Sequence, residues 1–262
     1  MLVSGGAMKG HILAARAAST IALLFERPGA LRAMLHWPCF SLTSYRMVED
    51  LRRQGVRPRT VIDVGANVGQ FALAALELWA PTSLHAFEPL EEAQQVLHRH
   101  LARYPQSKLH PVALGAEDGV LTFHVNAHSH SSSLLQLAEG HRTAFPGARE
   151  VAEVGVHVRT LDVELSSADL PTPTLLKVDA QGYERWVLDG APATLRRTRW
   201  VLLELSFRQM YEGEPPFLDM VQYMSTRGFR FVRPVGWLES PATGEILQCD
   251  ALFVRADEQA AS

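Results

Sequence analysis

The sequence predicts an α/β protein built on a mostly parallel sheet with one antiparallel strand near its end. Three observations carry this. From Arg59 onward, short β-branched runs alternate with helical ones, TVIDVGA, GQFALAALELWA, SLHAFEP, EEAQQVLHRHLARY and KLHPVAL in turn, which is the rhythm of βαβ units with right-handed crossovers. The stretch LLKVDAQGYE, Leu175 to Glu184, opens as the kind of run that fills a parallel sheet buried on both faces. The last two strands, GFRFVRP and CDALFVRA, are close enough in sequence to form a hairpin, and hairpin strands run antiparallel.

In chain order, residues 1–58 read as helices broken at Pro28-Gly29 and at Trp37-Pro38, with YRMVEDLRRQGV as the last helix before the core. This gives a helical N-terminal extension, 1–58, and one large domain, 59–262. Within the extension, Ala14 to Phe25 is an amphipathic helix. Its apolar part is far shorter than the roughly 20 residues that span a bilayer, so packing on the domain or on a second copy of the chain is expected over lying on a membrane surface, and a homo-oligomer through the N-terminal helices stays open.

After the first βα units, GVLTFHVN and EVGVHVRTLDV alternate like paired antiparallel strands, with a long polar segment, Ala127 to Arg149, between them. Long irregular segments inside compact domains are usually functional. The βα pattern then resumes with TLLKVDA, a helix around ERWVLDGA, the strand WVLLELS, a helix around FLDMVQYMSTRG, and the final strand pair separated by a loop through GWLESPATGEI.

Composition narrows the function. The chain has 262 residues, is 47% hydrophobic and carries a net charge of −3. Nucleic-acid binding normally shows as a basic domain or stripe, so a small molecule is the expected partner and nucleic acid is not. Cys39 and Cys249 lie far apart with no metal or redox spacing, which fits a reducing, cytoplasmic setting.

The chemistry sits at the carboxyl ends of the strands, where open α/β sheets bind ligands. In DVGANVGQ, Gly65 and Gly69 allow a tight turn and close backbone approach, while Asp63 at the strand mouth can accept from an ammonium or water. Glu88, ending the second strand, is placed to accept from two ribose hydroxyls. These parts also suit an NAD-dependent oxidoreductase, but the turn is not G-x-G-x-x-G, so the pyrophosphate fingerprint is missing. A nucleoside joined to an amine and a carboxylate, as in S-adenosylmethionine, matches better.

VIDVGANVGQ, AFEP, VALGAEDG, SSSL, RTLD, LLKVDAQGYE, VLDGA and LLELS occur in register over about Arg59 to Arg255, and on these pieces the chain resembles FkbM-type S-adenosylmethionine-dependent methyltransferases. The resemblance implies a class I, Rossmann-like methyltransferase fold, a seven-stranded sheet with one antiparallel strand. It also implies O-methylation of a hydroxyl on a sugar, glycolipid or secondary metabolite. The cofactor-binding residues it implies are Asp63, Gly65, Ala66, Asn67, Gly69, Glu88, Pro89, Ala113 and Ser132. Many relatives carry Glu where this chain has Gln181, so a turn or substrate-contact role, which an amide also fills, is expected at that position.

Moving a methyl group from a sulfonium to a hydroxyl needs in-line positioning and removal of a proton. Asp179 is the first candidate for that proton, and Lys177, two residues earlier on the same strand face, balances its charge or holds the forming oxyanion. Glu184 reads as a helix N-terminal residue, and Glu204 is a second acid in the same mouth. His130, beside the serine run Ser131 to Ser133, is the candidate neutral-pH base, with His124 and His128 near it. Magnesium, held by Asp179 and Glu204, is a lesser alternative, and a subunit that binds the cofactor without catalysis is another.

Overall fold

The computed structural model describes residues 28–127, 131–145 and 147–256. The helix expected at Ala14 to Phe25 and the histidines His128 and His130 lie outside them.

Among the described residues two helices precede the sheet, α1 (Pro28–His36) and α2 (Leu42–Arg53). The Pro28-Gly29 pair, expected as a break, instead lies in the first turn of α1. Proline at a helix start loses no hydrogen bond, because the first N–H groups have no intrahelical partner. The break at Trp37-Pro38 is present, and Ser41 then caps α2, its hydroxyl oxygen accepting from Ser44 N at 3.2 Å.

The core follows as β1 (Thr60–Val64), α3 (Gln70–Leu78), β2 (Ser83–Phe87), α4 (Glu91–Leu101), β3 (Ser107–His110), β4 (Ala113–Leu114), β5 (Gly119–Asn126), α5 (Glu139–Ala144), β6 (Glu150–Arg159), α6 (Leu161–Glu164), β7 (Thr174–Val178), α7 (Glu184–Asp189), α8 (Pro192–Arg196), β8 (Thr198–Ser206), α9 (Phe217–Thr226), β9 (Phe229–Glu239) and β10 (Ile246–Arg255). The seven-stranded sheet runs β3-β2-β1-β7-β8-β10-β9. Its strands pair in parallel except β10, which runs antiparallel to both β8 and β9. This is the mostly parallel sheet with one antiparallel strand that the sequence predicts.

A second sheet, β4-β6-β5, pairs β5 with β6 in antiparallel fashion as expected. The run KLHPVAL does not make one strand. Pro111 has no N–H to give a ladder, and the chain leaves the large sheet at His110 and joins the small one at Ala113. The end of EVGVHVRTLDV also turns helical, because the Thr160 hydroxyl caps α6 by accepting from Val163 N at 3.3 Å. The expected loop through GWLESPATGEI is shorter than its sequence suggests, since β9 continues through Trp237 to Glu239. Helix α8 was not foreseen.

Both faces of the large sheet are covered. One face packs Ile62, Val64, Leu176, Val178, Val201 and Leu203 in a core shared with α7 and α9. On the other, Val61, Leu175, Trp200, Leu202 and Leu252 meet Met47, Val48 and Leu51 of α2 and Phe71, Leu73 and Leu76 of α3. Strands β1 and β7 are buried along their whole length, which is why their sequences read as continuous apolar runs interrupted only where chemistry intrudes.

Candidate active site

The two interruptions are neighbours in space. Asp63 on β1 pairs in register with Lys177 on β7, and alternate residues share a face, so Asp63, Lys177 and Asp179 form one ladder on the α2 and α3 side. Lys177 Nζ lies 3.1 Å from Asp63 Oδ1 and 3.4 Å from Asp179 Oδ2, and the ring of Phe71 lies 5.4 Å away. Burial by itself would lower the Lys177 pKa, but the charges of Asp63 and Asp179 outweigh it and hold the ammonium protonated. Asp63 is fully buried and its Oδ2 has no hydrogen-bond partner among the described residues. Burial raises its pKa and Lys177 opposes that.

A cavity of about 770 Å³ opens over this ladder, within the roughly 300–1,000 Å³ of small-molecule sites. Its wall includes Gly65, Ala66, Asn67, Glu88, Pro89, Ala113 and Ser132 from the expected cofactor set, together with Lys177 and Asp179. Two of the expected residues act from behind it. Asp63 lies beneath the wall and reaches the cavity through Lys177. Gly69, at φ 97, starts α3, and a Cβ there would lie 2.7 Å from Leu97 Cδ1.

Glu88 closes the turn after β1. Its Oε2 accepts from Asn67 N and its Oε1 from Leu90 N, both at 2.9 Å. Asn67 itself sits at φ 48, a region asparagine tolerates, and its Oδ1 accepts from Val68 N at 2.8 Å. Burial pushes the Glu88 pKa up to about 7, partly offset by those two amides. Each oxygen retains acceptor capacity toward the cavity.

A further part of the cavity wall is acidic. Gln181, at φ 54, donates from Nε2 to Asp179 Oδ1 at 2.6 Å and to Glu204 Oε2 at 2.7 Å. Gln248 Nε2 reaches the same Glu204 oxygen at 3.2 Å, and Asp250 on β10 stands opposite Glu204 in register. Burial first, then the charges of Asp179 and Asp250, raise Glu204 well above an ordinary carboxylate. Asp250 is pushed up to about 7 by burial and by Asp179, against Lys177. Glu184 takes the helix-end role expected of it, with Oε1 accepting from Ala180 N at 2.8 Å and Gly182 N at 3.2 Å.

Magnesium does not fit the arrangement. The space between Asp179 and Glu204, where a cation would sit, is bridged by the hydrogens of Gln181 Nε2. His124 does not line the cavity, and its Nδ1 lies 3.0 Å from Glu150 Oε2 on the small sheet. Tyr211 is fully buried, whereas Tyr183 lines the cavity and stacks on Trp186 with ring centroids 4.6 Å apart. Sequence reasoning missed Gln248 and Asp250. Their signal was there: two polar residues at alternate positions in an otherwise apolar strand, the same pattern as Lys177 and Asp179. The long polar segment between β5 and β6 lines the cavity through Ser131, His141 and Phe145, joined by Leu238 and by Ser41 and Ser44 at the start of α2.

The model of the methyltransferase FkbM domain matches residues 63–231, which takes in this entire turn, the ladder and Glu204. The chain belongs to the FkbM methyltransferase family. Among curated proteins, this FkbM methyltransferase is 28% identical to the 2-O-methyltransferase NoeI of Sinorhizobium fredii over 186 residues, 68% of this chain and 75% of that one. It is 26% identical to Methyltransferase 1 of Beauveria bassiana over 182 residues, 64% of this chain and 71% of that one. Among solved structures, an S-adenosylmethionine-dependent methyltransferase described as putative, from Listeria monocytogenes, aligns with TM-score 0.48 at 9% identity, covering 81% of this chain and 98% of that one. Among the described residues no helix is long and apolar enough to cross a membrane.

Proposed function

We propose that this FkbM methyltransferase moves the methyl group of S-adenosylmethionine to a hydroxyl of a sugar, glycolipid or secondary metabolite. The observation that carries the reading is a cavity whose wall brings Glu88 and the Gly65 turn together with Asp179, the Gly65 turn lying directly against the Asp179 backbone. The nucleoside would lie against Glu88, Pro89 and Ala113, its ribose hydroxyls donating to the Glu88 carboxylate, and the amino-acid portion against Gly65, Ala66 and Asn67. Once bound there, S-adenosylmethionine supplies an electrophilic methyl on a cationic sulfur.

The charge of the site favours this ligand over a dinucleotide. The carboxyl groups of Asp63, Glu88, Asp179, Glu204 and Asp250 gather around Lys177, so a sulfonium and an ammonium meet acids whose ionisation they favour, whereas a pyrophosphate is repelled by each acid that ionises. The acceptor's hydroxyl would donate to Asp179, which holds it in line with the methyl and takes its proton. Positioning of this kind supplies roughly 7–11 kcal/mol in favourable cases, and a base adds a factor of about 100–10,000. Lys177 Nζ, 3.4 Å from Asp179 Oδ2, helps hold that carboxyl group in place. The 2-O-methyltransferase name of NoeI agrees with a hydroxyl acceptor.

Calorimetry with S-adenosylhomocysteine and with NAD tests the cofactor. Micromolar or tighter binding of the first and none of the second is expected; the reverse would overturn the reading. Transfer of a radiolabelled methyl from S-adenosylmethionine to neutral glycosides tests the acceptor class.

A further inference from the structure

Tyr211 lies in the turn after β8, and its hydroxyl donates to Gln181 Oε1. That bond decides which way round the Gln181 amide sits. With Oε1 engaged by the phenol, Nε2 faces the two carboxyl groups and bridges them at 2.6 and 2.7 Å. A reversed amide would give up both of these bonds and turn its NH2 toward the phenol instead. Burial, with the charges of Glu204 and Asp179, raises the Tyr211 pKa well above its ordinary value, so the phenol remains a donor.

The packing leaves little freedom here. A Cβ on Gly182 would lie 2.9 Å from Tyr211 Cβ, and Glu214 Oε1 accepts from Tyr211 N at 3.1 Å while its Oε2 accepts from Ser206 Oγ at 2.9 Å. On its other side the Tyr211 turn is stitched to the segment covering the cavity. Leu137 and Tyr211 form a β-bridge, Glu212 N donates to Gln136 O at 2.8 Å and Ala138 N to Met210 O at 2.9 Å. Ser133, in the same segment, donates from Oγ to Gln181 O at 2.7 Å.

Building on the methyl-transfer reading, we propose that Tyr211 is a positioning residue that acts through Gln181, holding Asp179 and Glu204 in one arrangement and tying it to the segment over the acceptor. The amide takes the bridging place that a cation would fill between the two acids. Gln181 is then more than a tolerated variant of Glu. A carboxylate at 181 could not donate to either neighbour.

The test is Tyr211→Phe, which keeps the ring and removes only the donor. In protein labelled with carbon-13 at side-chain carboxyls, Glu204 is assigned by its loss in Glu204→Gln. It is faced by Asp179 and Lys177 from β7, Asp250 from β10, Glu184 from α7 and the Tyr211 hydroxyl. In Tyr211→Phe its titration midpoint is expected to move by about one pH unit or more. S-adenosylhomocysteine affinity should stay within about twofold, and kcat should fall about tenfold or more at unchanged KM for S-adenosylmethionine. Gln181→Met should reproduce the titration change and decides the matter if Tyr211→Phe fails to fold. Wild-type midpoints in the folded variants would overturn the proposal, whatever happens to turnover. Failure of the wild-type protein to bind S-adenosylhomocysteine would instead defeat the cofactor reading, with the titrations still judging the Tyr211 role.

Discussion

A Cβ placed on Gly65 would lie 1.9 Å from the backbone carbonyl oxygen of Asp179. The turn proposed to hold the cofactor and the strand end proposed to meet the acceptor therefore touch backbone to backbone, at a position where φ is +75. The absence of a side chain at 65 sets how close the two halves of the reaction can come. Gly65→Ala should cost roughly 1–3 kcal/mol in backbone strain alone, and relief of the clash must part β1 from β7 at their carboxyl ends. The expected result is a lower Tm and loss of S-adenosylhomocysteine binding by calorimetry. Binding at wild-type strength would mean that the two loops are not coupled.

Glu88 and Asp179 should separate binding from chemistry. Glu88→Gln keeps the size, but its NH2 must face one of the two backbone N–H groups that Glu88 accepts from, and acceptance from ribose hydroxyls weakens as well. Hydrogen bonds to a charged group contribute roughly 1.5–3 kcal/mol, so cofactor affinity should fall roughly 10- to 100-fold. Asp179→Asn leaves the nucleoside end untouched, and its effect should fall on kcat, by a factor of about 100–10,000, with the affinity for S-adenosylhomocysteine almost unchanged. Equal losses of affinity in the two variants would argue against the division of labour.

The element pattern of the large sheet was legible because β1, β7 and β8 are buried on both faces and write themselves as apolar runs, and because glycine turns and helical periodicity separate them. The glycine turn after β1 and its link to Glu88 were legible for the same local reason, since Gly65 and Glu88 occupy fixed offsets from strand ends. The acidic end was only half visible. Asp179 stands out in its own strand, but Asp250 reaches the site by antiparallel pairing of β10 with β8, and Gln181 meets Glu204 across the sheet. Those are relations between distant parts of the chain. Tyr211 is the clearest case: nothing in the residues around it indicates that its hydroxyl ends on Gln181.

The buried acids give the ligand-free protein an unusual dependence on pH. Burial raises Glu88 and Asp250 to about 7 and Glu184 to about 8, whereas the unfolded chain ionises them near 4. Between those values the native state binds more protons than the unfolded state, so stability falls as pH rises, by at most about 1.4 kcal/mol per pH unit for each group. His85, lowered to about 4 by burial and then by His110 and Lys108, acts oppositely, but only below about pH 6.5, where the unfolded imidazole takes up its proton. Above that pH the acids act without it. The Tm should therefore drop between pH 6.5 and 8.5, and Glu184→Gln, which can still accept from Ala180 and Gly182, should reduce the drop. A Tm that rises over this range would contradict the burial of these groups.

The bridge from Gln181 to Asp179 and Glu204 leads to a prediction about metal. Divalent magnesium binds best where carboxylate oxygens converge on an open position, and here the Gln181 amide hydrogens occupy it, held by Tyr211 on the far side. Chelator should leave wild-type turnover unchanged within about twofold, and added magnesium should not raise it. Gln181→Glu removes the two donors and sets a third carboxyl beside Asp179 and Glu204. Without a counter-ion those charges repel, and turnover should fall about tenfold or more as Asp179 loses its fixed orientation. Magnesium should then raise the Tm of this variant and leave that of the wild type unchanged, because only the variant offers a cluster of oxygens with no donor between them. Chelator-sensitive turnover in the wild type would show that a cation displaces the amide, and would reverse the roles assigned to Gln181 and Glu204.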